Sequence, residues 1–281
     1  MKRTLIFLCV VLGLAQFKAT AWGGYEHTIA AYIAQEHLTA NTARNIRHYL
    51  DQPIYEYAEW MDFKPVVRRP GFDIARNGHS TAVDFDGTIP EITPFENGKG
   101  KGSCYRYLKE ILNTFENHRN LPDSLVIYHL RCFLHMIGDF HCPVHIHFFN
   151  IPKDGSSLPN AMYLTSEAAT PIVYNGKKTD LHKLLDSSLK HINEDWTYEQ
   201  WRIELDTFSP KQIATAVEGD LEAYLRGNCR VSREIYNNVQ EGIRLDNTYF
   251  TGRMKELLYQ QIRLAAYRMA KILNDYFDYE E

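Results

Sequence analysis

A proline ends the most strongly patterned stretch of this sequence. Residues 123 to 140 follow a helical period, with Tyr128, Cys132, His135 and Asp139 spaced so that they stack along one stripe. Pro143 cannot continue a helix and disfavours the α conformation at Cys142, so the chain must turn there and carry His145 back toward Asp139. Two imidazoles and a carboxylate then converge. They suit a metal site, since zinc takes such donors at about 2.0 to 2.2 Å, and they equally suit a cluster of buried, hydrogen-bonded polar groups. Three donors do not decide between the two.

Residues 1–21 read as a targeting segment. Lys2 and Arg3 precede the apolar run Leu5 to Leu14, and Ala19-Thr20-Ala21 forms an A-x-A cleavage site. The run is too short to anchor the chain, and no later stretch reaches the roughly 20 apolar residues of a membrane helix. Cys9 lacks the small-residue context of a lipid-modified cysteine. An exported protein, periplasmic or secreted, monomeric and without stable membrane insertion, is expected, with residues 22–281 forming one domain.

Charge and cysteine usage narrow the class further. The formal net charge of −4 becomes more negative when Lys2, Arg3 and Lys18 leave with the segment, which argues against a nonspecific electrostatic grip on nucleic acid. Bound divalent cations would reverse that locally. Cys104, Cys132, Cys142 and Cys229 remain, and an oxidising compartment permits disulfides. A helical span sets Cys132 and Cys142 roughly 12 to 15 Å apart, too far to bond. Cys104 with Cys229 is therefore the expected pair, and the other two are expected as buried thiols.

Helical periodicity runs through the rest. His27, Ala31, Ala34 and Leu38 share a first face; Tyr105, Leu108, Ile111, Leu112 and Phe115 share another. Ser209-Pro210 reads as the start of a helix ending near Gly227, and Thr251 to Phe277 as a long amphipathic helix. Strand signals are few: Pro171-Ile172-Val173-Tyr174 followed by Asn175-Gly176 suggests a hairpin. The stretches from Gly71 to Gly102 and from 150 to 178 read as long surface connections. A mainly α, single-domain multi-helix bundle with long functional loops follows.

Cleavage before Trp22 would give the new N-terminus a chemistry of its own. Its α-amino group, with a pKa of about 7.7 to 8.0, yields a proton to a metal more readily than a lysine does. The Trp22 amine and carbonyl oxygen can chelate one ion, with His27 alongside; the plain alternative is a frayed terminus with Trp22 in the core. Tyr57-Ala58-Glu59-Trp60-Met61-Asp62 is a short aromatic helical segment ending in a carboxylate, and His79 follows across a loop. His182 and Asp186 then repeat the His-x-x-x-Asp spacing of His135 and Asp139.

In order and spacing these residues resemble the S1/P1 nuclease family, zinc-dependent exported nucleases related to bacterial zinc phospholipase C, over almost the whole chain after residue 21. The family pattern matches at Trp22, His27, Asp62, His79, His135, Asp139, His145, His182 and Asp186. The resemblance implies three zinc ions per chain. Asp62, His79, His135 and Asp139 would hold one; Trp22, His27 and Asp139 a second; His145, His182, Asp186 and water the third. A carboxylate has two oxygens and can bridge ions, as Asp139 must. Asp62 and Asp139 would then serve catalysis through the ions, with a hydroxide between the two close zincs attacking a phosphodiester of single-stranded nucleic acid and leaving 5′-phosphates.

The family pattern breaks around the substrate. Pro65 stands where the family has a basic residue, so Lys64, Arg68 or Arg69 is the replacement, or simply a basic surface loop. Ser80 and Ala82 stand where an aromatic residue and a base-reading aspartate are usual, with Asp84 displaced by two. His141 and His147 read as packing or supporting residues, and Tyr55, Tyr57, Phe63 and Tyr105 as core aromatics or base-stacking groups. Two other readings stand beside the nuclease. One is a zinc phospholipase C acting on lipid head groups, against which Asp186 argues because those enzymes typically carry glutamate there. The other is a zinc- or nucleic-acid-binding protein without catalysis.

Overall fold

The computed structural model describes residues 23–63, 65, 69–84, 86–89, 104–149, 171–239 and 241–280. Residues 1–21, expected to be a targeting segment, and Trp22, Lys64 and Arg68 lie outside the described residues, as do most of the two long connections.

The chain is mainly α. In order it forms α1 (Gly24–Glu36), α2 (Ala40–Tyr49), two 3-10 turns (Ile54–Tyr57 and Trp60–Asp62), α3 (Asp73–Asn77), β1 (Thr81–Asp84), α4 (Cys104–Glu116) and α5 (Asp123–His141). A 3-10 turn (Pro143–His145) leads into β2 (Ile146–Phe149), and β3 (Pro171–Tyr174) and β4 (Lys177–Asp180) follow. Then come α6 (Leu181–Asp186), α7 (Ser188–Asn193), α8 (Tyr198–Leu205), α9 (Pro210–Ala216), α10 (Leu221–Asn237), β5 (Arg244–Leu245) and α11 (Gly252–Phe277).

Helix α5 is the axis of the core, packed by α1, α2, α4, α10 and α11. The sequence pattern gives it one apolar stripe, yet every residue from Cys132 to His141 is buried, because neighbours enclose its last turns on all sides. Enclosing a helix end leaves its final carbonyls without water. Side chains from two other helices meet them: Asn228 Nδ2 donates to the Phe140 carbonyl at 2.7 Å and Gln261 Nε2 to the His141 carbonyl at 2.8 Å. Beyond the proline, the Tyr236 hydroxyl lies 3.0 Å from the Pro143 carbonyl and 2.9 Å from that of Ile146. The break at Pro143 is thus held from α10 and α11.

Three local expectations change. Ser209 caps its helix with Pro210 at the first turn, but the helix stops at Ala216. Gly219 adopts φ 98°, a left-handed conformation that glycine takes at little cost, and Asp220 caps α10 as a separate helix. The connection from Gly71 to Gly102 is not bare loop, since it contains α3 and β1. Nor are Cys104 and Cys229 joined: all four described cysteines are free and buried. Cys104 instead points its thiol at the Met136 carbonyl of α5, at 3.7 Å. The hairpin is present, with Asn175 and Gly176 at φ 46° and 78° as a tight two-residue turn requires.

Candidate metal centre

Three of the candidate donors are delivered by breaks in regular structure and the others by helices. Asp62 closes a 3-10 turn, His79 lies between α3 and β1, and His145 ends the turn that Pro143 starts. β1 and β2 pair in parallel with Thr81 opposite Ile146, so the residues just ahead of both strands meet at one end of the pair. His27 comes from α1, His135 and Asp139 from α5, and His182 and Asp186 from α6.

Four imidazoles surround Asp139. Its Oδ1 lies 3.2 Å from His27 Nε2 and 3.0 Å from His145 Nδ1; its Oδ2 lies 2.9 Å from His79 Nδ1 and 3.1 Å from His135 Nε2. Asp62 Oδ1 stands 3.7 Å from His135 Nε2 and 4.0 Å from His79 Nδ1. At the far side Asp186 meets His145 Nε2 through Oδ1 at 3.2 Å and His182 Nε2 through Oδ2 at 3.0 Å.

Backbone carbonyls fix how the rings face. His135 Nδ1–H donates to Ala58 at 2.7 Å, His79 Nε2–H to Ala75 at 3.1 Å, and His145 Nδ1–H to His79 at 2.6 Å. A carbonyl only accepts, so each ring carries its proton on that nitrogen and turns the other, with its lone pair, inward. This is how metal-ligating histidines are usually oriented.

Two features test whether a metal fits. Ligands bound tetrahedrally at about 2.0 to 2.1 Å stand about 3.3 Å from one another, close to the carboxylate–imidazole separations here. Asp139 Oδ1 and Asp186 Oδ2 are also buried without a hydrogen-bond partner, although His27 Nε2 stands 3.2 Å from the first and His182 Nε2 3.0 Å from the second. The donors aim at common points rather than at each other. Among the described residues three groups have donor atoms within 4.8 Å of one another: His27, His135 and Asp139; Asp62, His79 and His135; and Cys142, His145 and Asp186. The residues present fit zinc.

The electrostatics agree. Burial penalises the Asp139 carboxylate, yet His145, His135 and His27 hold its pKa well below the usual range. Burial likewise opposes charge on His135, but Asp139 and Asp62 outweigh it and push the ring up to about 9. Asp186, also penalised by burial, is drawn down to about 2 by His145 and His182. A centre that draws protons so strongly draws other cations too.

Two neighbours carry more than the sequence suggested. Glu26 is fully buried, its Oε1 accepting from the Leu189 amide at 2.8 Å and the Ser188 hydroxyl at 3.4 Å, and burial raises its pKa to about 8. It ties α1 to α7 just beyond Asp186, and Gly23 N–H donates to the Asp186 carbonyl close by. Cys142 is the other, as the third group above records. Only the long-range partners reveal either role.

Other expected residues stand apart from the donors. His141 turns away: its Nδ1–H donates to Ile137 at 2.7 Å and its Nε2 accepts from Arg268 at 2.9 Å, joining α5 to α11. His147 pairs in register with Ala82. Asp84 lies three residues along β1 from Thr81, about 10 Å of strand, and joins none of the three donor groups. Tyr57 is buried and bonded to Asp51, whereas Phe63, next to Asp62, is 60% exposed. Phe63 lines a cleft of about 720 Å³ together with Trp60, Arg69, Phe72, Tyr128 and Arg131.

Residues 22–278 match the model of the S1/P1 Nuclease family. The chain belongs to the S1/P1 nuclease family. Nuclease S1 of Aspergillus oryzae (strain ATCC 42149 / RIB 40) is 24% identical over 194 residues, covering 67% of this chain and 61% of that protein. The match thus spans about six tenths of the relative's length. S1/P1 proteins are zinc-dependent, and this member has candidate metal-binding groups around Asp139 and Asp186. Among its described residues no helix is long and apolar enough to cross a membrane.

Proposed function

We propose that this S1/P1 family member is an exported, monomeric, zinc-dependent endonuclease that hydrolyses single-stranded DNA or RNA to 5′-phosphate products. Residues 1–21 are removed on export, and residues 22–281 form the catalytic domain. The observation that carries the reading is the convergence of three imidazoles, those of His27, His79 and His135, on the two oxygens of Asp139.

In this reading three zinc ions are held per chain. Asp62, His79, His135 and Asp139 take one; Trp22, His27 and Asp139 the second; His145, His182 and Asp186 the third. Zinc, when bound, supplies a Lewis acid and brings the pKa of coordinated water to about 7. The chain's part is to hold and orient. Asp139 would be shared between two of the ions, and the carbonyls of Ala58, Ala75 and His79 lock three rings so that no reorientation is needed during turnover. Phe63 and its aromatic neighbours offer faces for unstacked bases, while Arg69 and Arg131 offer charge to phosphates. Lys64, beside Asp62 and Phe63 in sequence, is assigned a phosphate contact.

Parallel assays on single-stranded DNA, RNA and phosphatidylcholine test this, before and after chelation and after zinc is restored. Cleavage of nucleic acid that is lost and regained with zinc is the expected result. Turnover of phosphatidylcholine alone would make the protein a phospholipase, and zinc binding without any turnover would make it a binding protein.

A further inference from the structure

We propose that Cys142 is a ligand of the third ion, its thiolate binding beside His145 Nε2 and Asp186 Oδ1. This rests on the zinc reading above and adds to it a donor that the family pattern does not contain.

Geometry carries the assignment. At this end of the centre the three donors lying within 4.8 Å of one another are Cys142, His145 and Asp186, all buried. Cys142 Sγ stands 3.7 Å from Asp186 Oδ1, and His145 Nε2 stands 3.2 Å from the same oxygen. A tetrahedral zinc with bonds of about 2.3 Å to sulfur and 2.0 Å to oxygen places those two ligands about 3.5 Å apart, and its nitrogen and oxygen ligands about 3.3 Å apart. Both separations are met without rearrangement.

The cause is the proline. Pro143 holds Cys142 extended at φ −72° and ψ 118°, while the Cys142 amide still donates to Gly138 and Asp139. The Cys142 carbonyl in turn accepts from the His145 amide at 3.0 Å, so thiol and imidazole are fixed in one tight turn. The thiol is buried, and the charges of Asp186 and Asp139 both reach it, so a bound cation must offset them before the thiol gives up its proton. On binding, the S–H bond breaks, its proton leaves to solvent, and a sulfur–metal bond forms. A thiolate makes this the softest of the three positions, favouring zinc or cadmium over magnesium or calcium.

The test uses the protein beginning at Trp22, loaded with cobalt(II) and, separately, with ¹¹³Cd(II), compared with Cys142→Ser. The wild-type protein is expected to show a near-ultraviolet sulfur-to-cobalt charge-transfer band, and one cadmium resonance well downfield of the rest. Both are expected to be lost in Cys142→Ser. Ions bound at His145 and Asp186 without either signal would overturn the assignment and leave the zinc reading standing. Absence of any ion there would overturn both. Should Cys142→Ser not fold, the wild-type spectra still decide, because Cys104, Cys132 and Cys229 join none of the donor groups.

Discussion

His145 Nδ1–H donates to the backbone carbonyl of His79 across 2.6 Å, coupling the orientation of one donor to the main chain of another. The two residues are 66 positions apart and meet because β1 and β2 pair in parallel directly after them. His145→Ala removes an inward-facing nitrogen and this link together. It is expected to lower zinc content by about one ion per chain in metal analysis, while an unchanged content would show that His145 is not a donor.

Asn228 belongs to the support of that turn rather than to the centre. Replacing it by alanine leaves the buried Phe140 carbonyl without its 2.7 Å donor. An unpaired buried acceptor costs about 1 to 3 kcal/mol. Urea unfolding of Asn228→Ala should show a loss in that range, and a loss near zero would mean that water reaches the helix end.

Acid should weaken the fold through two neutral histidines on α5. Burial lowers the pKa of His129 to about 4, and burial together with Arg268 lowers that of His141 to about 3. Both folded values lie below the unfolded value near 6.5. The unfolded chain therefore takes up protons first as pH falls, and stability present above 6.5 is lost toward pH 4. The slope per histidine is at most about 1.4 kcal/mol per pH unit. His129→Gln should flatten the stability profile between pH 6.5 and 4; an unchanged profile would show that His129 titrates normally in the fold.

Glu26 offers a contrast between shape and charge. With its pKa raised to about 8 the carboxyl is mostly protonated at pH 7, and its bonds come from Leu189 and Ser188. Glu26→Gln keeps those acceptors and should preserve zinc content and thermal stability. Glu26→Ala leaves the Leu189 amide unpaired and should cost about 1 to 3 kcal/mol. Equal damage from both variants would mean that an ionised carboxylate is needed.

Local rules account for what could be read from the sequence. Helical period and a proline were enough to place α5, its end and the return of His145, and an Asn-Gly pair was enough for the hairpin. The split between α9 and α10 was harder, because a glycine within a helical pattern is tolerated at a cost and does not by itself mark a break. Long-range partners were out of reach: Glu26 is explained by residues more than 160 positions away, and Cys142 by Asp186, 44 positions on. The disulfide expectation failed for a related reason. Redox compartment says that cysteines can pair, but only the packing of Cys104 against α5 says where its sulfur points.

The donor assignment also predicts that one extra residue ahead of Trp22 should matter. It would replace the free amine with an amide that cannot chelate in the same way, so an extended protein is expected to lose one zinc and most of its activity. Equal zinc content and equal rate in both forms would remove the N-terminus from the donor set.

Asp139 is the point through which the whole centre is joined, and Asp139→Asn tests it most directly. Zinc content and turnover of single-stranded DNA are to be measured on the same folded sample. Changes to outer partners of metal ligands already cost about 10 to 100-fold, so loss of the carboxylate proposed to be shared between two ions should cost more than about 100-fold in rate, with zinc lost in parallel. A folded Asp139→Asn protein with three zinc ions and full activity would contradict the account.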